Sequence, residues 1–320
     1  MSTCFKRILI FLVAVLLLLP VLSGCSSTSK ITLVLDWTPN TNHTGFYVAK
    51  DLGYFKEEGL DVDIVQPPED GALSLVAAGR ADFGISFQEE VIVAANAKSS
   101  LPVTAIASLI EHNTCGIFSL KEKNITRFKD LEGKKYGSWQ VPIYDEIIKE
   151  CIRNDGGDPS KVEFVPNSAV DSITGLKRDF DAAWVFEGWD KIIADVTGVE
   201  TNFLSFKDAN PVFNYYTPVL VTNSKNIDAN TTKKFLRAVA KGYEYAKNNP
   251  KEAAEILSKY APEVDKDIIY ASQEFLSKNY YSEKWGYIDE ERWNTFFNWM
   301  KEKEFVDSGA SNAAFKNVEY

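Results

Sequence analysis

The chain has few of the residues from which reactive centres are built. Its 320 residues include two histidines, His43 and His112, and four cysteines, with no CxxC pair and no zinc-ligand spacing. A metal cluster is therefore not expected. GxSxG, P-loop and HExxH patterns are all absent, which removes the common serine-hydrolase, nucleotide-hydrolase and zinc-protease readings. Basic runs are also missing and the formal charge is −10, so no nucleic-acid partner is expected. Long apolar runs are limited to one, Ile8–Leu22, and no later run approaches the 18 residues of a membrane span.

That one run follows Lys6 and Arg7 and ends at Leu22-Ser23-Gly24-Cys25. Basic residues, a 15-residue apolar stretch and a small-residue stop read as a signal peptide over 1–24. The terminal four residues resemble the lipobox of bacterial lipoproteins. The resemblance implies cleavage before Cys25, a diacylglyceryl group on its thiol, and a polar tether over 25–30. Loss of Lys6 and Arg7 takes the formal charge from −10 to −12. Maturation also leaves only Cys115 and Cys151 as free thiols; the exported setting lets them pair or stay as two buried thiols, and the sequence leaves both open.

What is present is an alternation of strands and helices over about 295 residues, too many for one core, which predicts two lobes. An apolar content of 45% and an aromatic content of 13% place both among globular rather than disordered chains. Apolar runs predict strands at Ile31–Leu35, Val62–Val65, Ala81–Ser86 and Pro102–Leu109, with helices at Gly71–Ala78 and Phe87–Lys98 between them. This pattern gives a parallel sheet with crossover helices. A second run follows, with strands Cys115–Leu120, Lys135–Ser138, Val162–Val165 and Asp181–Phe186, and helices from Pro142, over Val170–Lys177 and over Gly188–Ala194. Thr217–Val221 reads as a strand crossing back. Helices Asn230–Asn248, Pro250–Lys259, Lys266–Phe275 and Glu290–Lys303 then return to the first lobe. Lobe one is thus expected to comprise 31–114 and 218–320, and lobe two 115–217.

The stretch Leu33–Gly59 carries the most information. An apolar strand ends in Asp36-Trp37, a turn containing Pro39 offers Asn40, Thr41 and Asn42 as caps, and a helix with Phe46, Tyr47 and Ala49 follows. By itself this is equally an ordinary strand–helix turn with a core tryptophan or the mouth of a ligand site. The whole segment DWTPNTNHTGFYVAKDLGYFKEEGLDV, however, resembles the opening of binding proteins for pyrimidine precursors of thiamin, which serve ABC importers and are similar to the fungal thiamin-pyrimidine synthases. The resemblance runs from about Ile31 to Val306. It implies an α/β, two-lobed periplasmic-binding-protein fold of the two-crossover type, each lobe a mostly parallel sheet flanked by helices. It also implies hinge closure on an aminopyrimidine such as formylaminopyrimidine or hydroxymethylpyrimidine. Partners would be a permease and an ATPase, with the protein a lipid-anchored monomer on the extracytoplasmic face of the membrane.

In such a fold the ligand meets strand C-termini and helix N-termini. Four places qualify: Asp36-Trp37, Ser86–Glu90, Gly137–Tyr144 and Phe186–Trp189. They supply aromatics and acids without a single Lys or Arg. Singly, each aromatic is equally a core residue and each acid equally a solvated cap. Together they suit a flat, amino-bearing ring that stacks on aromatics and donates to carboxylates, and they would repel an anion. The expected ligand contacts are Asp36, Trp37, His43, Phe87, Gln88, Glu89, Trp139, Tyr144, Glu187 and Tyr215. Another flat heterocycle, riboflavin-like, and a nitrate- or sulfonate-type anion remain alternatives in the same class.

The rival class is a pyridoxal-phosphate-dependent pyrimidine synthase. In the synthases that the chain resembles, a cofactor-binding lysine and a reactive histidine follow the strand matching Ala81–Ile85. Those positions fall here on Ser86 and near Glu90, and the synthases' cysteine-rich stretch falls on Pro211–Tyr216, which has no cysteine. No cofactor and no catalytic residue are therefore expected, and adjacent Glu89 and Glu90 would not face each other on a helix as an acid–base pair.

Overall fold

A computed structural model describes residues 29–69, 71–169, 171–225 and 228–320. The signal-peptide reading, Cys25 and the tether as far as residue 28 lie outside the described residues. Two five-stranded sheets organise the rest. The first is built from β1 (Ser29–Val34), β2 (Leu60–Val65), β3 (Phe83–Ser86), β4 (Val103–Ser108) and β10 (Val219–Asn223), in the order β2-β1-β3-β10-β4. The second uses β5 (Cys115–Leu120), β6 (Lys135–Ser138), β7 (Glu163–Pro166), β8 (Ala182–Phe186) and β9 (Thr201–Ser205), in the order β7-β6-β8-β5-β9.

The two orders are the same pattern used twice. In each sheet a single strand runs antiparallel, β10 in the first and β5 in the second. Each of these strands arrives from the other lobe. It therefore starts at the edge where the parallel strands finish, and must run against them. The parallel registers are pinned by one device in both lobes. Asp82, just before β3, accepts from the Thr32 amide of β1 at 2.8 Å, and Asp181, just before β8, accepts from the Lys135 amide of β6 at 2.9 Å.

The α-helices of five or more residues are α1 (Thr44–Asp51), α2 (Gly71–Ala77), α3 (Gln88–Asn96), α4 (Pro142–Asn154), α5 (Ser172–Arg178), α6 (Ile192–Val196), α7 (Ala229–Asn248), α8 (Pro250–Ser258), α9 (Lys266–Asn279) and α10 (Glu290–Glu302). Most lie within a few residues of their sequence-based bounds. Asn40, one of the three candidate caps, takes the role: its side chain accepts from the Asn42 amide at 3.0 Å. Pro142 sits at the first turn of α4, where its missing N–H has no helical partner.

Three points differ from the sequence reading, and one that it left open is answered. The first strand opens at Ser29 rather than Ile31, since Ser29 and Lys30 already pair with Leu60 and Asp61 in β1. The half-buried strand β9 was not expected at all. The helix expected over Gly188–Ala194 begins instead as a π-turn over Glu187–Lys191 before becoming α6. Cys115 and Cys151 are both buried free thiols, which closes the question of their pairing.

Close packing joins α1 to α7. A Cβ on Gly242 would stand 2.0 Å from the carbonyl oxygen of Gly45, and one on Gly45 would strike the Tyr243 ring at 2.2 Å. Around this contact Phe46, Phe55 and Phe83 gather on Phe235, the Phe83 ring at 3.9 Å between centroids.

The chain crosses between the sheets at 109–114 and 213–218, and side chains stitch the two crossings. Asn113 is fully buried; its amide nitrogen donates to the Phe213 carbonyl at 2.8 Å and its oxygen accepts from the Cys115 amide at 2.7 Å. Asn214 returns the bond, accepting from the Asn113 backbone at 3.1 Å.

Candidate functional site

Asp36 and Trp37 follow β1, and Phe87–Glu90 follow its parallel neighbour β3. Trp139 follows β6, and Glu187 follows its parallel neighbour β8. Both acidic and aromatic sets thus stand at strand C-termini, the place where open parallel sheets present ligands.

On lobe one, the carboxylate of Asp36 is held by His43. The His43 Nδ1 accepts from the Asn40 amide at 3.2 Å, which puts the proton on Nε2, and Nε2 donates to Asp36 Oδ1 at 2.6 Å. Both ring nitrogens are thereby spent and His43 is fully buried. In this geometry it holds Asp36 in place. The side chain of Gln88 is likewise engaged within the protein. Its amide donates to the Trp293 carbonyl at 3.1 Å and accepts from the Tyr216 amide at 2.8 Å, tying α3 to α10 and the return crossing.

Glu89 and Glu90 diverge, as adjacent helical residues do. Glu90 is exposed and accepts from the Ser86 hydroxyl at 2.7 Å. Glu89 is buried, and its Oε1 accepts from Tyr144 of lobe two at 3.0 Å. Burial first, and then the charge of Glu90, push the Glu89 carboxyl up to about 8. Among the described residues no Lys or Arg pairs with Asp36, Glu89, Glu90 or Glu187.

Lobe two contributes an aromatic wall. Tyr144 lies 5.0 Å from Trp184 and 5.7 Å from Trp139, and Trp139 stacks near Phe186 at 6.4 Å between centroids. Trp139 is 41% exposed and Trp37 is 68% exposed, so a large ring from each lobe is open to contact. Phe87 is half-buried and makes no ring contact among those described. Tyr215 is buried and stacks on Phe296 at 4.0 Å; its hydroxyl lies within electrostatic reach of Glu89.

Glu187 stands on the π-turn, a deformation frequent at functional sites. Its Oε2 accepts from Tyr280 at 2.5 Å. Burial, and then this bond, push the Tyr280 phenol well up, so it stays a donor. The next residue, Gly188, gives its carbonyl to Ser272 of α9, whose hydroxyl also meets Thr41 at 2.5 Å. Tyr280 and Ser272 were missed by sequence reasoning. They lie about 90 residues from Glu187 in a helix that reads as ordinary amphipathic surface, and no local signal marks them.

A cavity of about 590 Å³ lies elsewhere, between α4, β7 and the chain after α10, lined by Ser138, Asp145, Lys149, Phe164, Lys303 and Phe305 among others. None of the expected contacts lines it. Its lysines are engaged, Lys303 with Glu150 at 2.8 Å and Lys149 over the Phe164 ring at 5.2 Å. The interlobe acids and aromatics, not this cavity, hold the unspent chemistry.

The family model described as NMT1/THI5 like matches residues 40–253. The chain belongs to the NMT1/THI5-like family. Among its relatives, the formylaminopyrimidine-binding protein of Halalkalibacterium halodurans is 28% identical over 327 aligned positions, covering 94% of each chain. The 4-amino-5-hydroxymethyl-2-methylpyrimidine phosphate synthase of Legionella pneumophila is 28% identical and covers 75% of this chain and 76% of its own. Solved structures place this NMT1/THI5-like chain among periplasmic-binding-protein folds. The aliphatic sulphonate binding protein of Escherichia coli superposes with a TM-score of 0.69 at 13% identity, covering 88% of this chain and 95% of its own. The ligand-binding component of an ABC-type import system from Staphylococcus aureus gives 0.68 at 14%, covering 90% and 97%. The expected α/β, two-lobed architecture stands, with the qualification that each sheet is mixed.

Proposed function

We propose that this chain is the solute-binding component of an ABC importer, and that it captures an aminopyrimidine precursor of thiamin between its lobes. The observation that carries this reading is the character of the interlobe surface. Carboxylates Asp36, Glu89, Glu90 and Glu187 lie beside open or half-buried rings, with no cation paired to any of them. A sulfonate or nitrate would face the carboxylates of Asp36, Glu90 and Glu187 with no Lys or Arg paired to them among the described residues. A flat ring with an exocyclic amine meets stacking partners in Trp37 and Trp139 and acceptors in Asp36 and Glu187. The H. halodurans relative, named for binding formylaminopyrimidine, supports the same choice.

The synthases among the relatives make an enzymatic role the natural rival. Against it stands the pair Ser86–Glu90. At the positions where the synthases are expected to carry a cofactor lysine and a reactive histidine, this chain has a serine donating to a glutamate at 2.7 Å. Neither side chain can form a Schiff base. Capture, closure and release to a permease need no such group.

We further propose that Cys25 carries the lipid anchor, on the extracytoplasmic face. Among the described residues no helix is long and apolar enough to cross a membrane, so attachment would fall to the lipid. Native mass spectrometry of protein purified from its own membranes tests the ligand assignment: a co-purified aminopyrimidine is expected, and a co-purified sulfonate would overturn it.

A further inference from the structure

Among the cleft acids, Glu89 is the one with a buried oxygen that has no hydrogen-bond partner among the described residues. Oε1 takes the Tyr144 hydroxyl from the opposite lobe at 3.0 Å. Oε2 is buried with no hydrogen-bond partner among the described residues. The side chain as a whole is 4% exposed, at the point where α3 of lobe one meets α4 of lobe two. A buried carboxylate oxygen without a donor is costly, and a buried carboxylic O–H without an acceptor is costly too. Either way this atom calls for a partner that the protein does not supply.

The surroundings decide which form the carboxyl takes. Glu90 acts on it through space from the neighbouring position of its own helix, while Tyr144 approaches from α4, Tyr215 from the return crossing and Cys115 from β5. The phenols and the thiol are themselves pushed up by burial and stay neutral, leaving Glu90 as the nearby charge. Nothing cationic stabilises an anion at Glu89. We propose that Glu89 is a hydrogen-bond donor to the ligand, its Oε2 hydroxyl reading a lone pair that the remaining carboxylates of the cleft would repel. The upward displacement of this carboxyl to about 8 agrees with that role at neutral pH.

The assignment rests on the aminopyrimidine reading and sharpens it. Asp36 and Glu187 can only accept, and so select an amine. A donor beside them selects a second feature, a ring nitrogen or carbonyl oxygen on the same ligand. Specificity then comes from a donor–acceptor pattern, and an amine without the lone pair leaves a buried hydroxyl unsatisfied.

The test is calorimetric titration of formylaminopyrimidine into the full mature protein between pH 7 and pH 9.5, for wild type, Glu89→Gln and Glu89→Ala. Glutamine keeps the acceptor for Tyr144 and puts an N–H where the O–H stood, without a titratable proton. At pH 7 Glu89→Gln should bind within about threefold of wild type, and Glu89→Ala about tenfold or more weaker. Above about pH 8 the wild type should lose affinity relative to Glu89→Gln, approaching tenfold per pH unit. The ligand's own titration is common to both proteins and cancels in the ratio. A wild-type to Gln ratio that stays constant across the range, or a Gln variant as weak as Ala at pH 7, overturns the donor role alone. Absence of binding by folded wild type at every pH overturns the aminopyrimidine reading, and this assignment with it.

Discussion

Tyr280 donates its hydroxyl to Oε2 of Glu187 at 2.5 Å, so one oxygen of the lobe-two acid is fixed from the end of α9. On the proposed function, the other oxygen would be the one that meets the ligand. The same π-turn is held one residue later, where Gly188 meets Ser272. Glu187→Ala should therefore weaken aminopyrimidine binding by about tenfold or more, since a charged hydrogen bond is worth about 1.5–3 kcal/mol. Tyr280→Phe, which leaves the carboxylate free to swing, should cost about threefold to tenfold. Fluorescence titration measures both, with thermal unfolding recorded alongside. A normally folded Glu187→Ala protein with wild-type affinity would remove Glu187 from the site.

Trp37 is 68% exposed and makes no ring contact among those described. Trp37→Ala should accordingly leave the melting temperature almost unchanged while weakening binding and removing most of the ligand-induced fluorescence change. A drop of several degrees in melting temperature would mean that the ring is packed rather than available.

The pH dependence of stability follows from Glu89. Its carboxyl titrates near 8 in the folded protein, above its ordinary 4.5. A raised acid favours the folded state fully below the unfolded value, and that contribution is lost as pH rises through about 8. The difference in melting temperature between Glu89→Gln and wild type, without ligand, should grow from pH 5 to pH 9 in favour of the variant. A difference independent of pH would show that Glu89 is ionised throughout.

Gly242→Ala tests the contact between α1 and α7. The added methyl would lie 2.0 Å from a backbone oxygen that cannot turn away. The helices must separate, at a cost of about 1–3 kcal/mol or more. Chemical denaturation should show the loss; unchanged stability would mean that α1 shifts freely on the core.

Cys25→Ser addresses the anchor. If the lipid is the attachment, the variant should appear in the soluble fraction after membrane fractionation in high salt, with wild type in the pellet. A variant that still pellets would point to another means of attachment.

How much of this was legible in the sequence depends on how local each feature is. Asn40 as cap, Asp36-Trp37 past β1 and Glu187 past β8 follow from short-range pattern and the rule that sites gather at strand C-termini. Gln88 read as a ligand contact because it sits at such a place. Its partners, the Trp293 carbonyl and the Tyr216 amide, lie 205 and 128 residues away and are backbone groups that no motif announces. His43 read as a ligand contact, and its bond to Asp36, with the tautomer set by the Asn40 backbone amide, had no signal in the sequence. Strand β9 was missed because Thr201–Ser205 is half-buried along its whole length and shows no alternation. The π-turn has no sequence signature at all, yet it is what carries Glu187 to Tyr280.

The central claim is that the interlobe acids and rings select an aminopyrimidine over an anion. Isothermal titration of the mature protein with formylaminopyrimidine and, separately, with an alkanesulfonate tests it most directly. The account predicts micromolar or tighter binding of the pyrimidine, about 8 kcal/mol or more, and no heat with the sulfonate. Tight binding of the sulfonate with none of the pyrimidine would contradict it.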